Sequence, residues 1–228
     1  MPKVRRIGGV RRWAGWFCRC LIGLWLLTLV QVAIFRFVNP PSTLNTVWMF
    51  IRGAQRPPEF IWTPLAHISP HLRKAVLAGE DQRFLTHRGF DFIELNQALK
   101  DLALKRGTRG ASTITMQTAR TLFLWPDRGW IRKLAEAYYT VLIEGFWPKK
   151  RILEVYLNLV DWGETVMGAE AASQCYFHKS CGHLSRSQAA MLAAILPNPR
   201  RWSPVHPTRQ VLKRQKRILH DMRGMPSI

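Results

Sequence analysis

The sequence lacks the short motifs that mark several common enzyme classes. Its 228 residues contain no His-Glu-x-x-His, no Gly-x-x-x-x-Gly-Lys and no Gly-x-Gly-x-x-Gly pattern, so a zinc protease, a P-loop enzyme and a dinucleotide-binding enzyme all lose support. Four cysteines without Cys-x-x-Cys spacing are too few for a disulfide-bonded miniprotein and do not match a structural zinc site. Hydrophobic residues at 47% and charged residues at 21% are ordinary for a chain that folds around a core.

Acidic residues are scarce. There are 14 of them against 34 basic residues, which gives a formal net charge of +20. Six basic residues precede Leu21, and the other 28 still exceed the acidic ones by 14. A DNA-binding protein is one interpretation of this excess, but no helix carries a compact recognition pattern. A domain beside a membrane would instead meet anionic lipid and pyrophosphate, so we expect no nucleic-acid partner.

An uncharged apolar run lies near the amino end. It extends over sixteen residues from Cys20 to Phe35 and approaches the length of a bilayer helix. Basic residues and no acids precede it, so the positive-inside rule predicts a cytoplasmic segment at residues 1–19 and a transmembrane anchor at 20–38. A cleaved signal peptide is the alternative, but its apolar region is usually shorter and is followed by small residues. The sequence IFRFVNPP ends the run instead, which favours an anchor with the remaining chain across the membrane.

The chain after the anchor divides into a linker and one domain. Residues 39–64 contain five prolines and are predicted to be extended. Residues 65–228 are predicted to fold mostly as α-helices, because no stretch alternates with period two for long. Five helices are predicted to start at capping residues, namely Ser69, Asp91, Ser112, Ser185 and Thr208. Further helical segments are predicted from Arg132, at RILEVYLNLV and at ETVMGAEAASQCYF.

Two of the cysteines fall in this domain. If the domain lies outside the cytoplasm, Cys175 and Cys181 are in an oxidising compartment and could pair across a short loop. Two reduced, partly buried thiols are an equally good interpretation of the sequence.

The first candidate for chemistry is the segment GEDQRFLTHRGFD. Glu80 and Asp81 fall at a predicted helix end there and are followed by Phe84 and His87. A carboxylate at a helix carboxyl end opposes the helix dipole, which raises its pKa and makes it a better base. The alternative is a solvated turn in which the acid pairs with a neighbouring basic side chain.

Two other segments carry candidate ligands. GASTITMQTAR begins a hydroxyl-rich helix in which Gln117 and Arg120 are one turn apart, and free amides with a cation suit a phosphate or a sugar. Alternatively, its threonines only satisfy their own backbone. In the second segment, Arg132 and Lys133 precede Glu136 by one helical turn, which is most often an ordinary ion pair.

Five blocks of the chain carry a resemblance in their order and spacing, namely EDQRFLTHRGFD, GASTITMQTAR, RKLAEAYYTVLIE, KKRILEVYLNLVDWG and AAMLAAILPNPRRWSP. Together they resemble the blocks of the bacterial peptidoglycan glycosyltransferase family. The resemblance implies a mostly α, lysozyme-like domain of two lobes, the smaller of which faces the membrane. It implies polymerisation of lipid II into β-1,4-linked glycan, with inversion and release of undecaprenyl pyrophosphate. No Ser-x-x-Lys, Ser-Asp-Asn or Lys-Thr-Gly motif occurs, so no transpeptidase domain is expected.

The resemblance also implies roles for particular residues. Glu80 matches the catalytic base and Glu136 a second important carboxylate. The implied substrate cleft is lined by Asp81, Phe84, His87, Ser112, Thr113, Gln117, Arg120, Arg132 and Lys133. The chain departs from the family at three positions, with Arg120 in place of Lys, Thr121 in place of Asn and Met116 in place of the first Gln of a pair. Arginine keeps the positive charge of lysine, but its planar guanidinium donates hydrogen bonds in a fixed geometry, whereas the ammonium group of lysine acts as a point charge.

Cofactor, partners and location follow from the same resemblance. It implies Mg²⁺ or Mn²⁺ at the pyrophosphate, with unassigned metal ligands and no organic cofactor. The implied partners are lipid II, undecaprenyl-pyrophosphate-linked glycan and the membrane, together with penicillin-binding proteins and the division or elongation machinery. The implied location is the bacterial inner membrane, with the catalytic domain periplasmic. Two alternatives to a synthetic enzyme are considered. A lytic enzyme of related fold is disfavoured because it has no use for phosphate-binding cations. The other alternative is a scaffold protein without catalytic activity.

Overall fold

The computed structural model describes residues 7–41, 43, 46, 60–104, 110–126 and 129–228. Over these ranges the chain forms nine α-helices and no β-strand, which confirms the predicted fold class. The helices are α1 (Ile7–Phe35), α2 (Pro70–Glu80), α3 (Phe92–Ala103), α4 (Ile114–Phe123), α5 (Trp130–Phe146), α6 (Lys149–Leu159), α7 (Ala169–Phe177), α8 (Arg186–Ile195) and α9 (Arg209–Asp221). The chain divides into two compact units, Met1–Val38 and Asn39–Ile228.

The first unit is the helix α1. Its part from Gly15 to Phe35, 21 residues of mean hydropathy 2.0, is long and apolar enough to cross a membrane. Large apolar side chains such as Leu24 and Leu27 are exposed along it, as expected for a helix surrounded by lipid. The start of the predicted cytoplasmic segment and most of the predicted linker 39–64 lie outside the described residues.

Helix starts in the second unit follow the capping residues that the sequence offers. Ser69 caps α2, Asp91 caps α3 and Thr208 caps α9, each by accepting a backbone N–H of the first turn. Ser185 forms a full capping box with the third residue of α8. These four predicted starts are confirmed, because a cap is a local property of a few consecutive residues.

Two predicted starts are displaced by one or two residues. The N-cap of α4 is Thr113 and not Ser112, because the hydroxyl of Thr113 accepts the backbone N–H of Met116. Helix α5 begins at Trp130, ahead of the predicted Arg132, after a glycine without a side-chain cap.

Two groups of packed helices make up the second unit. In one, α8 packs against both α2 and α9, and every residue from Ala189 to Ile195 is buried. The four alanines in that stretch have small side chains, so three helix backbones can approach closely. In the other group, α4 packs against α5 and α6.

Helix α3 differs from the rest because it has no buried residue. Its apolar side chains Phe92, Ile93, Leu99 and Leu102 are between 57% and 71% exposed. Contiguous exposed apolar side chains of this kind mark a surface that meets a membrane or another protein.

The two cysteines of this unit are free thiols. Cys175 is exposed and Cys181 is buried. Burial raises the pKa of the Cys181 thiol to about 12, so this group stays protonated and unreactive at neutral pH. The structure therefore favours the reduced alternative.

The sequence ETVMG forms a turn and not the start of the predicted helix. The backbone N–H of Trp162 donates to the carbonyl of Val166 at 2.9 Å, which closes a loop. Gly168 ends the loop with a φ of 86°, and α7 begins only after it. A positive φ is readily available only to glycine, so the backbone requirement at one residue overrides the helical propensity before it.

Gly168→Ala is expected to lower the free energy of unfolding by about 2–4 kcal/mol. The added Cβ would lie 2.6 Å from the carbonyl oxygen of Asn158, in addition to the unfavourable φ. The control is Gly145→Ala in α5, where nothing lies within 4 Å of an added Cβ and a gain of up to about 1 kcal/mol is expected. Denaturant titration of the detergent-held protein compares them, and equal stabilities would contradict the assignment.

Candidate active site

A cavity of about 570 Å³ lies where the end of α2 meets the start of α4 and one face of α9. It brings together six of the predicted site residues, namely Glu80, Asp81, Ser112, Thr113, Gln117 and Arg120. Arg214 and Arg217 of α9 line it as well, and neither residue was a candidate in the sequence analysis. The predicted Phe84, His87, Arg132, Lys133 and Glu136 are not among its lining residues.

Glu80 is the last residue of α2 and is held by two other helices. Arg214 donates from Nη2 to the Oε1 atom of Glu80 at 2.9 Å, and the same nitrogen donates to the carbonyl oxygen of Gly79 at 2.8 Å. Gln117 donates from Nε2 to the other carboxylate oxygen, Oε2, at 3.1 Å. Because each carboxylate oxygen can accept more than one hydrogen bond, both keep room for a proton from a substrate.

Burial raises the pKa of Glu80, against the opposing effects of the Arg214 charge and the hydrogen bonds from Gln117 and Arg214. The sequence predicts a raised pKa from the position at the helix carboxyl end, whereas loss of solvent is the larger cause in the structure. A buried carboxylate with a raised pKa and one cationic partner is typical of a general base.

Tyr156 contacts Gln117 and was not among the candidate residues of the sequence analysis. Its hydroxyl donates to Oε1 of Gln117 at 3.3 Å, so the amide of Gln117 presents its N–H side to Glu80. The side chain of Tyr156 is 2% exposed, and burial raises its pKa well above the usual value. Tyr156 therefore acts as a neutral hydroxyl that orients Gln117.

Asp81 fixes the start of α4 against the end of α2. Its Oδ2 accepts the backbone N–H of Ile114 at 2.9 Å, and both of its oxygens accept Nε2 of His87, at 2.9 and 3.0 Å. His87 is thereby turned into the protein. Phe84 is also buried, with Nζ of Lys149 4.5 Å from the centre of its ring. Phe84 and His87 therefore lie in the protein interior and do not line the cavity, and His87 holds Asp81 in place.

The start of α4 forms one wall of the cavity. Thr113 caps the helix and also donates its hydroxyl to the carbonyl of Gly89 at 2.6 Å. Ser112, Gln117 and Arg120 line the cavity beside it. Met116, one of the departures from the family pattern, is buried and does not reach the cavity.

Another part of the cavity wall contains a group of ion pairs at the start of α3. Arg83 donates to both oxygens of Asp91, at 2.9 and 3.0 Å, and to Glu94 at 3.1 Å. These hydrogen bonds hold the first turn of α3, a helix without buried residues, at the edge of the cavity.

Glu136 does not line this cavity and belongs to a buried group of charges. Its carboxylate is fully buried, accepts a hydrogen bond from Nη1 of Arg132 at 2.9 Å and contacts Nζ of Lys133. The sequence pattern of an ion pair one turn apart is therefore correct, but the pair is buried and not solvated. Its functional role stays a prediction.

One group of side chains has the spacing of a metal site. Asp81, His87 and Asp91 place a potential ligand atom each within 4.8 Å of the others. The carboxylates are already engaged, however, by His87, by Arg83 and by backbone N–H groups. The carboxylate oxygens and the ring nitrogen are used by hydrogen bonds within the protein, so they do not fit a site for a divalent cation. No catalytic step is therefore assigned to a metal at this group.

Comparisons with known proteins identify the family. The family model described as Transglycosylase matches residues 49–223. The chain is 50% identical over 204 residues to the biosynthetic peptidoglycan transglycosylase of Rhodospirillum centenum, covering 89% of this chain and 87% of that one. It is 44% identical over 220 residues to the protein of the same name from Chromohalobacter salexigens, covering 95% and 94% of the two chains. The chain belongs to the transglycosylase family.

Membership confirms the family that the sequence blocks predict and makes the chain an enzyme. Its relatives are named for transglycosylase activity in peptidoglycan biosynthesis, which is a glycosyltransferase activity. The one candidate membrane helix within the described part of the chain fits a transglycosylase of the inner membrane.

In this transglycosylase, Glu136→Gln is expected to lower the free energy of unfolding by about 2–4 kcal/mol, because the buried Arg132 would lose its charged partner. Glu164→Gln, at an exposed position, is the matched control and should change stability by less than about 0.5 kcal/mol. Denaturant titration measures both variants. A Glu136 variant as stable as its control would show that the cluster contributes nothing to folding.

Proposed function

We propose that this transglycosylase polymerises lipid II with Glu80 as the general base. The 4-hydroxyl of the acceptor gives its proton to a carboxylate oxygen of Glu80 while its oxygen attacks the anomeric carbon of the donor sugar. The bond from that carbon to the pyrophosphate breaks, and the electron pair leaves with undecaprenyl pyrophosphate. Attack opposite the leaving group inverts the α-linked donor into a β-1,4 linkage.

The setting of Glu80 is the observation that carries this proposal. Its side chain is only 12% exposed, yet it lines a cavity large enough for sugar units. Burial raises its pKa, while Arg214 and Gln117 keep the ionised form available. A carboxylate that is ionised but poorly solvated is suited to accept a proton from a hydroxyl.

Cations on the cavity wall fit a pyrophosphate leaving group. Such a group leaves without a strong general acid, but the negative charge that develops on it must be stabilised. Arg120 lines the same cavity as Glu80 and is assigned to the phosphates, where its guanidinium can donate two parallel hydrogen bonds. Glu136 is assigned an indirect role, in which its buried carboxylate orients Arg132 and Lys133 toward the pyrophosphate end of the substrate.

The remaining predicted residues are assigned to the cavity wall and its support. Ser112 and Gln117 offer a hydroxyl and an amide group to sugar hydroxyls. The hydroxyl of Thr113 is already hydrogen-bonded to Gly89 and Met116, so Thr113 is assigned to holding the start of α4. Asp81, with His87 and Phe84 behind it, holds the start of α4 in place. Mg²⁺ or Mn²⁺ at the pyrophosphate remains a prediction from the family resemblance, since the carboxylates near the cavity are engaged within the protein.

We infer the same topology that the sequence predicts, with the amino end cytoplasmic and the catalytic domain periplasmic. The basic, acid-free start of the chain supports this orientation. The exposed apolar side chains of α3 and α5 support contact of the domain with the bilayer that carries its lipid-linked substrates. Association with penicillin-binding proteins or with the division or elongation machinery is a prediction that rests on the family alone.

Polymerisation of labelled lipid II by the detergent-held protein tests the proposal. Wild type should yield polymer that muramidase digests, and Glu80→Gln should lower the rate by about 10²–10⁴-fold, the contribution typical of a general base. Glu164→Gln, outside the cavity, is the control and should keep the wild-type rate.

Three results would contradict the proposal in different ways. Equal rates for wild type and Glu80→Gln would remove Glu80 as the base. Shortening of preformed glycan in place of polymer would indicate a lytic enzyme. Neither activity would indicate a scaffold without catalytic function.

A further inference from the structure

The outer face of α9 carries a stripe of exposed cations. Arg209, Lys213, Lys216 and Arg217, here called the basic stripe, are all exposed. With 3.6 residues per turn and 1.5 Å of rise per residue, they fall within about 100° of arc and extend about 12 Å along the helix. The stripe is therefore one continuous positive surface.

Acidic residues of the carboxyl-terminal segment offset only a small part of this charge. From residue 196 to the end of the chain the only acid is Asp221, against eight lysines and arginines. Asp221 is occupied at the inner edge of α9, where it accepts a hydrogen bond from Gln82 at 3.2 Å and lies 3.7 Å from Nε of Arg217. Asp221 therefore offsets part of the charge of Arg217, and the net positive potential of the stripe favours an anionic ligand.

The stripe is joined to the active-site cavity. Arg214 follows Lys213 directly and precedes Arg217 by three residues, and from the inner side of α9 it holds Glu80. Arg217 lines the cavity, yet its side chain is 65% exposed, so it belongs both to the cavity and to the stripe. A ligand that extends out of the cavity along α9 would meet Lys213 and Lys216 next.

An anionic bilayer fits this surface poorly. Helices that lie on membranes combine basic residues with an apolar face that enters the lipid. The apolar face of α9, with Val211 and Ile218, is already buried against the protein. Most of the large apolar side chains exposed in the second unit are on α3 and α5, and neither helix is among those packed against α9. The α9 helix itself exposes one large apolar side chain, Leu212, at 39%.

We propose that the basic stripe binds the carboxylates of the stem peptide on the acceptor and on the growing glycan. This rests on the proposed function, since it identifies which part of the lipid II substrate meets α9. The sugars of lipid II that enter the cavity are uncharged, whereas the peptide beside them carries carboxylates and recurs with every disaccharide. Binding of that peptide outside the cavity holds the strand in register with Glu80 without taking part in the chemistry.

Steady-state kinetics of the double variant Lys213→Gln/Lys216→Gln on two substrates tests the proposal. One substrate is lipid II with free peptide carboxylates, and the other is lipid II in which these groups are amides. On the free acid at low salt, KM should rise about threefold to tenfold, with kcat within about twofold, because two exposed charge contacts are lost. On the amide, the variant and wild type should have the same KM. Salt above about 0.5 M should abolish the difference in KM between the variant and wild type on the free acid.

The control is Lys150→Gln/Lys179→Gln, which removes the same charge at positions outside both the basic stripe and the cavity. It should leave KM for both substrates unchanged, and thermal unfolding checks that both double variants are folded. A KM equal to that of the control, or a rise of equal size on both substrates, would overturn the proposal. If the double variant instead lost only binding to vesicles of anionic phospholipid, the stripe would be assigned to the membrane.

Failure of the stripe and failure of the proposed function give different results. If wild type polymerises lipid II and the stripe variant matches it, only the stripe assignment falls. If wild type polymerises neither substrate, the function and the stripe fall together.

Discussion

Glu80 can serve as a base only because its carboxylate is both buried and paired. Burial alone would favour the protonated form, which cannot accept a proton, whereas a fully solvated carboxylate would be a weak base. The guanidinium of Arg214 and the amide of Gln117 offset part of the burial, each donating to a different oxygen. The proposed chemistry depends on that balance, and the balance depends on the helices that surround the cavity.

The balance requires three helices that are distant in the chain. Arg214 comes from α9, which α8 holds against α2 through a row of buried alanines. Gln117 comes from α4, whose first turn is fixed to the end of α2 by Asp81. Tyr156 of α6 then orients the amide of Gln117 from below. Because the groups that surround Glu80 belong to separate packing contacts, the base is positioned by the fold as a whole and not by a local loop.

Local features of the sequence predict much of this structure. The caps at Ser69, Asp91, Ser185 and Thr208 and the apolar anchor can be recognised within a few consecutive residues. Glu80 and the start of α4 can be recognised from the family blocks. Arg214 could not be selected, because it lies 134 residues from Glu80 and belongs to a helix whose many cations look like a solvated face. The burial of Glu136 and the turn at Gly168 likewise depend on packing and on a backbone angle that residue spacing does not contain.

The pH dependence of lipid II polymerisation by wild type and by Arg214→Gln tests this account most directly. A base acts above its pKa, so the rate should fall as the pH is lowered, and burial should place this fall above the ordinary range of glutamate, near 4.3. Loss of the Arg214 charge should raise the pKa of Glu80 further and move the fall to higher pH. An acidic limb that stays in place or moves to lower pH in the variant would contradict the account.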